Sequence, residues 1–362
     1  MRNAGKATVG LVVTVFFLWV VLKDVDFREV LANIATGNML LLAASVCVAT
    51  FGFVIRAVRW QILLAPVLPR SSFRSRFAGV SIGFMANNIL PARMGEFARP
   101  YAFSRLEPVS ITAAFGSLVV ERFMDGVILL LFLVIPVFTP AFPEVDALLE
   151  GGGLAIFQGA VALVLGVLVV LVLMATLPRQ FLAVARFVLG FVPGQLAGRV
   201  MELLEGLLSS MAIMRDPKLL ALGFAWSLFF WTWHGLSFWL GMLAFGIDTG
   251  WFSAMFTEAV VGFGVALPSA PGFFGTFHAS ANFALSTVYG VSETQSLAFA
   301  FAYHFGGWIP ITVIGLWYAG KLGLSLGDIG SAEEEVHEAQ EEATWGDDDE
   351  VMGVSAEGEH GG

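Results

Sequence analysis

Residues 87–99, Asn-Asn-Ile-Leu-Pro-Ala-Arg-Met-Gly-Glu-Phe-Ala-Arg, constrain this chain more than any other stretch. They lie between long apolar runs and carry two cations, one anion, a helix-breaking Pro91 and Gly95. Interrupted backbone and ionised side chains are tolerated at membrane depth only where protein or a wet cavity surrounds them. The rest of the chain reads as the wall of such a cavity. Of the 362 residues, 57% are hydrophobic and 13% charged, with a mean hydropathy of +0.80. That is about half the charged share of a soluble domain, so the expected fold class is all-α, a polytopic transmembrane helix bundle.

Long apolar runs occupy residues 7–22, 39–64, 111–138, 154–177, 219–245 and 295–318. About twenty apolar residues suffice to cross the hydrocarbon. Residues 77–90 and 251–289 are apolar but interrupted. The first run follows Arg2 and Lys6 without a small-residue cleavage site after it, so an uncleaved signal anchor is expected. Three segments result: an N-terminal anchor and loop (1–38), a transmembrane domain (39–320) and an acidic, disordered tail (321–362). Residues 331–362 hold twelve Asp and Glu and no Lys or Arg; without them 19 bases face 17 acids. The net charge of −10 thus belongs to the tail, which is free to contact a cytoplasmic partner. A transient helix at 332–343 and an interfacial amphipathic helix at 198–215 are further expectations.

Loop charge gives the orientation. Arg70, Arg74 and Arg76 precede residue 77, and Arg179, Arg186, Arg199, Arg215 and Lys218 lie in 178–218. Residues 139–153 carry no cation, and 246–250 only Asp248. Both termini are therefore expected in the cytoplasm of a cell with an inner membrane, although Lys23 and Arg28 fit this less well. By parity, 77–110 enters and leaves on the inside, and 251–290 enters and leaves on the outside. Each reads as a re-entrant hairpin, broken by Pro91 and Gly95 in one and by Pro268, Pro271, Gly272 and Gly275 in the other. Two halves of opposite orientation with matching breaks are the pattern of an inverted repeat, whose breaks mark transporter binding sites. The alternative is that Pro and Gly merely kink packed helices.

Arg93, Glu96 and Arg99 have spacings of three and would share a helical face. A half-helix starting near Pro91 would add free N–H donors for a phosphate; snorkelling to the head groups is the alternative. Glu121, Arg122 and Asp125 lie within an apolar run, with the two carboxylates at i and i+4. They read as a helix-locking ion-pair network or as a relay or cation site, with Arg93 or Arg99 as long-range partners. Arg56 and Arg59 beside Trp60 read as interface anchors, and Trp226, Trp231, Trp233 and Trp239 as lipid contact and packing. His234, His278 and His304 are scattered and lack ligand spacing, so no metal or cofactor is expected. The single Cys47 excludes a disulfide framework.

Four motifs in order carry a resemblance: Arg56-Ala-Val-Arg59-Trp60; Asn88-Ile-Leu-Pro91-Ala-Arg93-Met-Gly95-Glu96-Phe-Ala-Arg99; Glu121-Arg122-Phe-Met-Asp125; and Pro268-Ser-Ala-Pro271-Gly272-Phe-Phe-Gly275. From about residue 39 to 320 the chain resembles the flippase-like family, also called the lysylphosphatidylglycerol synthase transmembrane region. One departure is that Thr276, Phe277 and His278 follow the last Gly where the family usually has Glu. The resemblance implies the lipid-translocating part of such proteins without their soluble synthase domain. The expected function is a lipid translocator, a flippase or scramblase for a phospholipid or related anionic or aminoacylated lipid, and not an enzyme. Arg93 and Arg99 would hold the phosphate and Glu96 would orient them, while Glu121, Arg122 and Asp125 shape the wall. Asn88, Pro271, Gly272, Gly275, His278 and His304 complete the candidate binding set. Membrane lipids are the expected partners; nucleic acid is not, and a homo-oligomer is left open. Alternatives are an integral membrane enzyme acting on lipid or polyprenyl head groups, and a structural scaffold.

Overall fold

The computed structural model describes residues 27–91, 93–140, 142–143, 177–190, 216–266, 270–332 and 334–336, with isolated positions 12, 19, 166, 169 and 201. The expected runs at 7–22 and 154–177, the interfacial helix at 198–215, Pro268 and the tail beyond 336 fall outside them, apart from those isolated positions and residue 177. The described residues form helices and no strand. In chain order these are α1 (Phe27–Thr36), α2 (Met39–Leu64), α3 (Phe73–Ile89), α4 (Gly95–Ser104) and α5 (Ile111–Val134), which ends in a 3-10 turn (Ile135–Phe138). There follow α6 (Pro178–Leu189), α7 (Pro217–Ala244), α8 (Trp251–Gly264), α9 (Thr276–Asn282) running on as a π-turn (Phe283–Val288), α10 (Glu293–Lys321) and α11 (Leu326–Gly330).

Side-chain oxygens start most of the long helices. Asn38 accepts from the N–H groups of Leu40 and Leu41, Ser110 from Ala113, Ser292 from Gln295, and Asp216 from Lys218 and Leu219 ahead of Pro217. These residues take N–H groups that lack an intrahelical acceptor. Helices α2, α7 and α10 are 26, 28 and 29 residues long and apolar enough to cross a membrane. At 1.5 Å per residue they reach about 40 Å, beyond the roughly 30 Å hydrocarbon core. Helix α5 has 24 residues and differs from them by carrying Glu121, Arg122 and Asp125 in its middle.

Helix α2 defines two ends of the bundle. At its start, the Asn38 N–H donates to Ala244 O at the end of α7, and Gln295 at the start of α10 donates to Phe245 O. At its finish, Arg76 of α3 bonds Gln61 Oε1 at 2.6 Å and Ala57 O at 2.8 Å, while Leu68, Val109, Phe181 and Leu219 pack together. Arg70, Arg74 and Arg76 lie at this second end. The base of the α3–α4 pair is closed there too, where the Ser72 N–H donates to Glu107 at 2.9 Å. The α8–α9 pair has its base at the first end, between Phe245 and Gln295. Its tip meets the tip of the other pair, since Arg93 donates to Ala266 O at 3.1 Å.

Close packing sets the position of α4. Gly79 and Gly83 on one face of α3 lie against Arg99 and Phe103 of α4, and Gly95 lies against the Gly83 carbonyl. Residues without a side chain let two backbones approach this closely.

Two expectations need correction. Residues 27–36, assigned to a loop, form α1, because Val30 and Ile34, one helical turn apart, pack into the core cluster that includes Phe245 and Ile247. The segment after Lys321 begins with structure: Ser325 and Asp328 cap α11 reciprocally, and Ile329, Ala332 and Val336 are buried. Polar composition drew the boundary at 321, whereas these three apolar side chains hold the segment to the bundle.

The α3–α4 contact is testable. Gly95→Ala drives a Cβ into the Gly83 carbonyl and should destabilise the detergent-purified protein by about 1–3 kcal/mol or more. Gly126→Ala meets nothing within 4 Å and should leave the thermal midpoint unchanged or raised.

Candidate functional site

Three helices bring ionised groups together. Arg56 and Arg59 lie one turn apart on α2, Glu121 and Asp125 one turn apart on α5, and Arg99 is carried by α4. Arg99 grips Glu121 with two parallel bonds, Nη1 to Oε1 and Nη2 to Oε2, each 2.9 Å. Arg59 Nη2 reaches the same Oε1 at 3.1 Å, and Arg56 Nη1 reaches it at 3.2 Å. Asp125 accepts from both nitrogens of Arg59, from Arg56 at 3.3 Å and from Trp231 Nε1 of α7 at 2.9 Å. Ser227, also on α7, accepts from Arg59 at 3.0 Å. The five charged side chains are exposed by 6% or less.

Aromatic faces complete the enclosure. The Arg99 guanidinium sits 4.0 Å from the Trp60 ring centroid, and that ring is itself held by a 2.9 Å bond to Ser117. Arg56 sits 4.0 Å from Phe230. Such contacts replace part of the hydration that a buried cation loses.

The charges do not balance. Arg122 joins Glu121 at 2.6 Å and Glu96 at 4.0 Å, and Glu96 pairs with Arg93 at 3.4 Å. Five arginines thus face three carboxylates. One charge of the excess is buried, with Arg56, Arg59 and Arg99 against Glu121 and Asp125, and one lies on the rim, where Arg122, Arg93 and Glu96 are 37%, 32% and 27% exposed. The Nε atoms of Arg59, Arg93, Arg99 and Arg122 have no hydrogen-bond partner. Unmatched charge removed from water costs several kcal/mol per ion, so this rim is suited to an anion.

Both breaks hold bulky residues in left-handed backbone. Arg93 has φ 56° and Phe273 φ 61°, the two non-glycine residues with positive φ among those described. Gly272 and Gly275 take φ 73° and 88°, which suits them. The strained pair is in contact, with the Arg93 guanidinium 5.9 Å from the Phe273 ring. Strain of about 1–3 kcal/mol at such positions persists only when the surroundings enforce it, and it concentrates at functional sites. Pro271 opens the 3-10 turn that carries Gly272. Asn88 donates to Thr312 at 2.8 Å, tying the end of α3 to α10.

The structure revises several sequence readings. Arg93, Glu96 and Arg99 do not share a helix, because α4 begins only at Gly95. The N–H groups expected to be free for a phosphate are taken: Gly95 donates to Asn87 Oδ1, Glu96 to Arg93 O and Phe97 to Met94 O. Of the two partners expected for Glu121 and Asp125, Arg99 is in the network and Arg93 is not. Arg56 and Arg59 are no interface anchors: their face of α2 turns to α5 and α7 rather than to head groups. Trp231 likewise serves Asp125. His278 and His304, distant in sequence, stand 5.1 Å apart between their rings, and His278 Nδ1 accepts from the Gly275 N–H. A second polar pair, His234 with Glu258, was not anticipated; Glu258 offered no motif beyond a lone acid in an apolar run. Among the described residues no three His, Cys, Asp or Glu converge as metal ligands would.

Residues 7–315 match the family described as the lysylphosphatidylglycerol synthase TM region. The chain belongs to that family. It is 26% identical over 129 residues to a UPF0104 membrane protein of Methanocaldococcus jannaschii, which covers 35% of this chain and 38% of the relative. It is also 26% identical over 116 residues to glycosyltransferase AglD of Haloferax volcanii, 32% of this chain and 19% of that one. The matched stretches thus span well under half of either relative. No solved structure matches the chain. This is a membrane-embedded, multi-pass member of the family, and its apolar helices agree with that assignment.

Removing one acid from the network should be costly. Glu121→Gln leaves Arg99 without its bidentate partner and should lower stability by about 3–5 kcal/mol, read as thermal unfolding in detergent. Arg93→Ala removes a half-exposed pair and should cost about 1 kcal/mol or less.

Proposed function

We propose that this protein moves lipids with anionic or aminoacylated head groups between the leaflets of a cell membrane and performs no covalent chemistry on them. The observation that carries the reading is the excess of arginine over carboxylate, enclosed among membrane helices where two broken helix pairs meet tip to tip. In this reading each pair re-enters the bilayer from its own side. Helix α4 spans ten residues, about 15 Å, which is short of the hydrocarbon thickness, and the two pairs have their bases at opposite ends of the bundle. The lipid phosphate is held at the rim by Arg93 and Arg122, with Glu96 available to a cationic head group. Arg99, Glu121 and Asp125 act as the rigid wall behind them. Asn88, Gly272 and Gly275 shape the junction.

The one G-x-x-x-x-G-K match, Gly315 to Lys321, lies inside helix α10 and is followed by Leu322 where a nucleotide-binding loop has Ser or Thr, so movement is passive or ion-coupled. The likeness to a chain named a glycosyltransferase favours a second reading, an enzyme acting on polyprenyl-linked head groups. Turnover of a labelled polyprenyl-linked sugar by the purified protein would establish that one instead.

Reconstitution discriminates. Vesicles containing the protein should expose inner-leaflet fluorescent phosphatidylglycerol to an external quencher faster than empty vesicles. Arg93→Ala should slow this by about tenfold, the loss of one contact of roughly 1.4 kcal/mol, while remaining folded. Equal rates for wild type, variant and empty vesicles would refute translocation.

A further inference from the structure

A carboxylic acid and an imidazole meet inside the bundle away from the arginine network. Glu258 on α8 is 1% exposed, and its Oε1 lies 2.7 Å from His234 Nδ1 on α7. Its other oxygen, Oε2, has no hydrogen-bond partner. Gly235 faces that oxygen, and a Cβ there would come within 2.9 Å of it. His234 is 26% exposed, so the pair is sealed on the glutamate side and open on the histidine side. An ion pair that only locked two helices would use both carboxylate oxygens, as Arg99 does with Glu121. Here one oxygen is left over in apolar surroundings, where a bare carboxylate is costly and a proton removes the cost.

The surroundings separate this pair from the network while keeping it within its field. Trp233 donates to Val48 O and Ser45 to Ser237 O, which sets His234 about two turns along α2 from Arg56, toward the end that holds Asn38. Phe230 lies between them, 4.0 Å from Arg56 and 5.8 Å from the His234 ring. Arg56 is the cation whose field reaches both His234 and Glu258. From α5, Asp125 is one ring away through Trp231, which contacts His234 and donates to Asp125. From α10, Tyr303 is within reach of Glu258, and its hydroxyl is bonded to Ser237. His278 on α9 meets Phe277 and His304 edge-on, and Phe238 stands between Phe277 and His234. Tyr289, after the π-turn, packs on Phe256 and so on another face of α8 from Glu258.

We propose that His234 and Glu258 form a proton-binding site inside the membrane, and that proton uptake and release there is coupled to lipid movement. The coupling rests on the translocator reading; the proton site does not. On uptake an O–H bond forms at the Glu258 carboxylate, or an N–H bond at His234, and no other bond breaks; release reverses it. One proton changes the charge of the pair by one unit. That change is felt at Arg56, which joins Glu121 and Asp125 in the network. The free oxygen and the half-open imidazole supply acceptor and route.

Two measurements test this, one independent of lipid. Infrared difference spectra of the purified protein across pH should show a protonated-carboxyl band that titrates, is absent in Glu258→Gln and moves in His234→Gln. Identical spectra for wild type and Glu258→Gln would overturn the proton site. In vesicles, a pH step of one unit should drive wild-type fluorescent phosphatidylglycerol toward a tenfold asymmetry, the gradient that one proton per lipid sustains. Glu258→Gln should still equilibrate the lipid but lose the asymmetry. Lipid that moves in wild type without response to the pH step would overturn the coupling. Absence of any wild-type movement would overturn both the coupling and the translocator reading, leaving the spectra to decide the proton site.

Discussion

The Glu121 carboxylate is the point on which this structure depends. It is wholly buried and contacted by Arg56, Arg59, Arg99 and Arg122, from three helices. A charge so placed is stable only while its partners stay, and the partners only while it stays. Mutual need of this kind fixes α2, α4 and α5 in one register. It also explains why a ten-residue helix interrupted by Pro100 keeps its place: its two parallel bonds to Glu121 and the glycine face of α3 hold it from both sides.

From that anchor the rest of the candidate site follows. With α4 held, the preceding chain must turn sharply, and Arg93 takes left-handed backbone to reach Ala266 and Phe273 in the other break. One of the two excess positive charges lies on this rim, where water can meet it. The buried carboxylates are saturated with arginine partners, whereas Arg93, Glu96 and Arg122 on the rim are partly exposed. The helix N-terminus of α4, which could have served an anion, is closed by Asn87 instead.

Much of this was legible in the residues. Run lengths marked α2, α5, α7 and α10 to within a few residues, because hydrophobic span length is a one-dimensional property. The breaks at Pro91 and Gly95, and at Pro271, Gly272 and Gly275, were legible because those residues constrain backbone locally. The charged triplet on α5 stood out against its apolar run. Arg56 and Arg59 were misread because an Arg-Trp pair near a span end has the same local appearance whether it meets head groups or a buried carboxylate. Glu258 was missed for a related reason: a single acid announces nothing until a partner from another helix stands beside it.

Taken alone, the order of residues determined that the chain crosses a membrane, where its long apolar helices lie, where the breaks fall and which groups carry charge. All of these depend on neighbours within a few positions, through side-chain size, backbone freedom and hydrophobic length. Tertiary structure alone decided the pairings: which arginines neutralise Glu121 and Asp125, that the two breaks touch, that His278 meets His304, and that His234 shares a hydrogen bond with Glu258. Partners separated by 22 to 173 residues are chosen by helix packing, which is set by glycine faces and shape in three dimensions and has no signature along the chain.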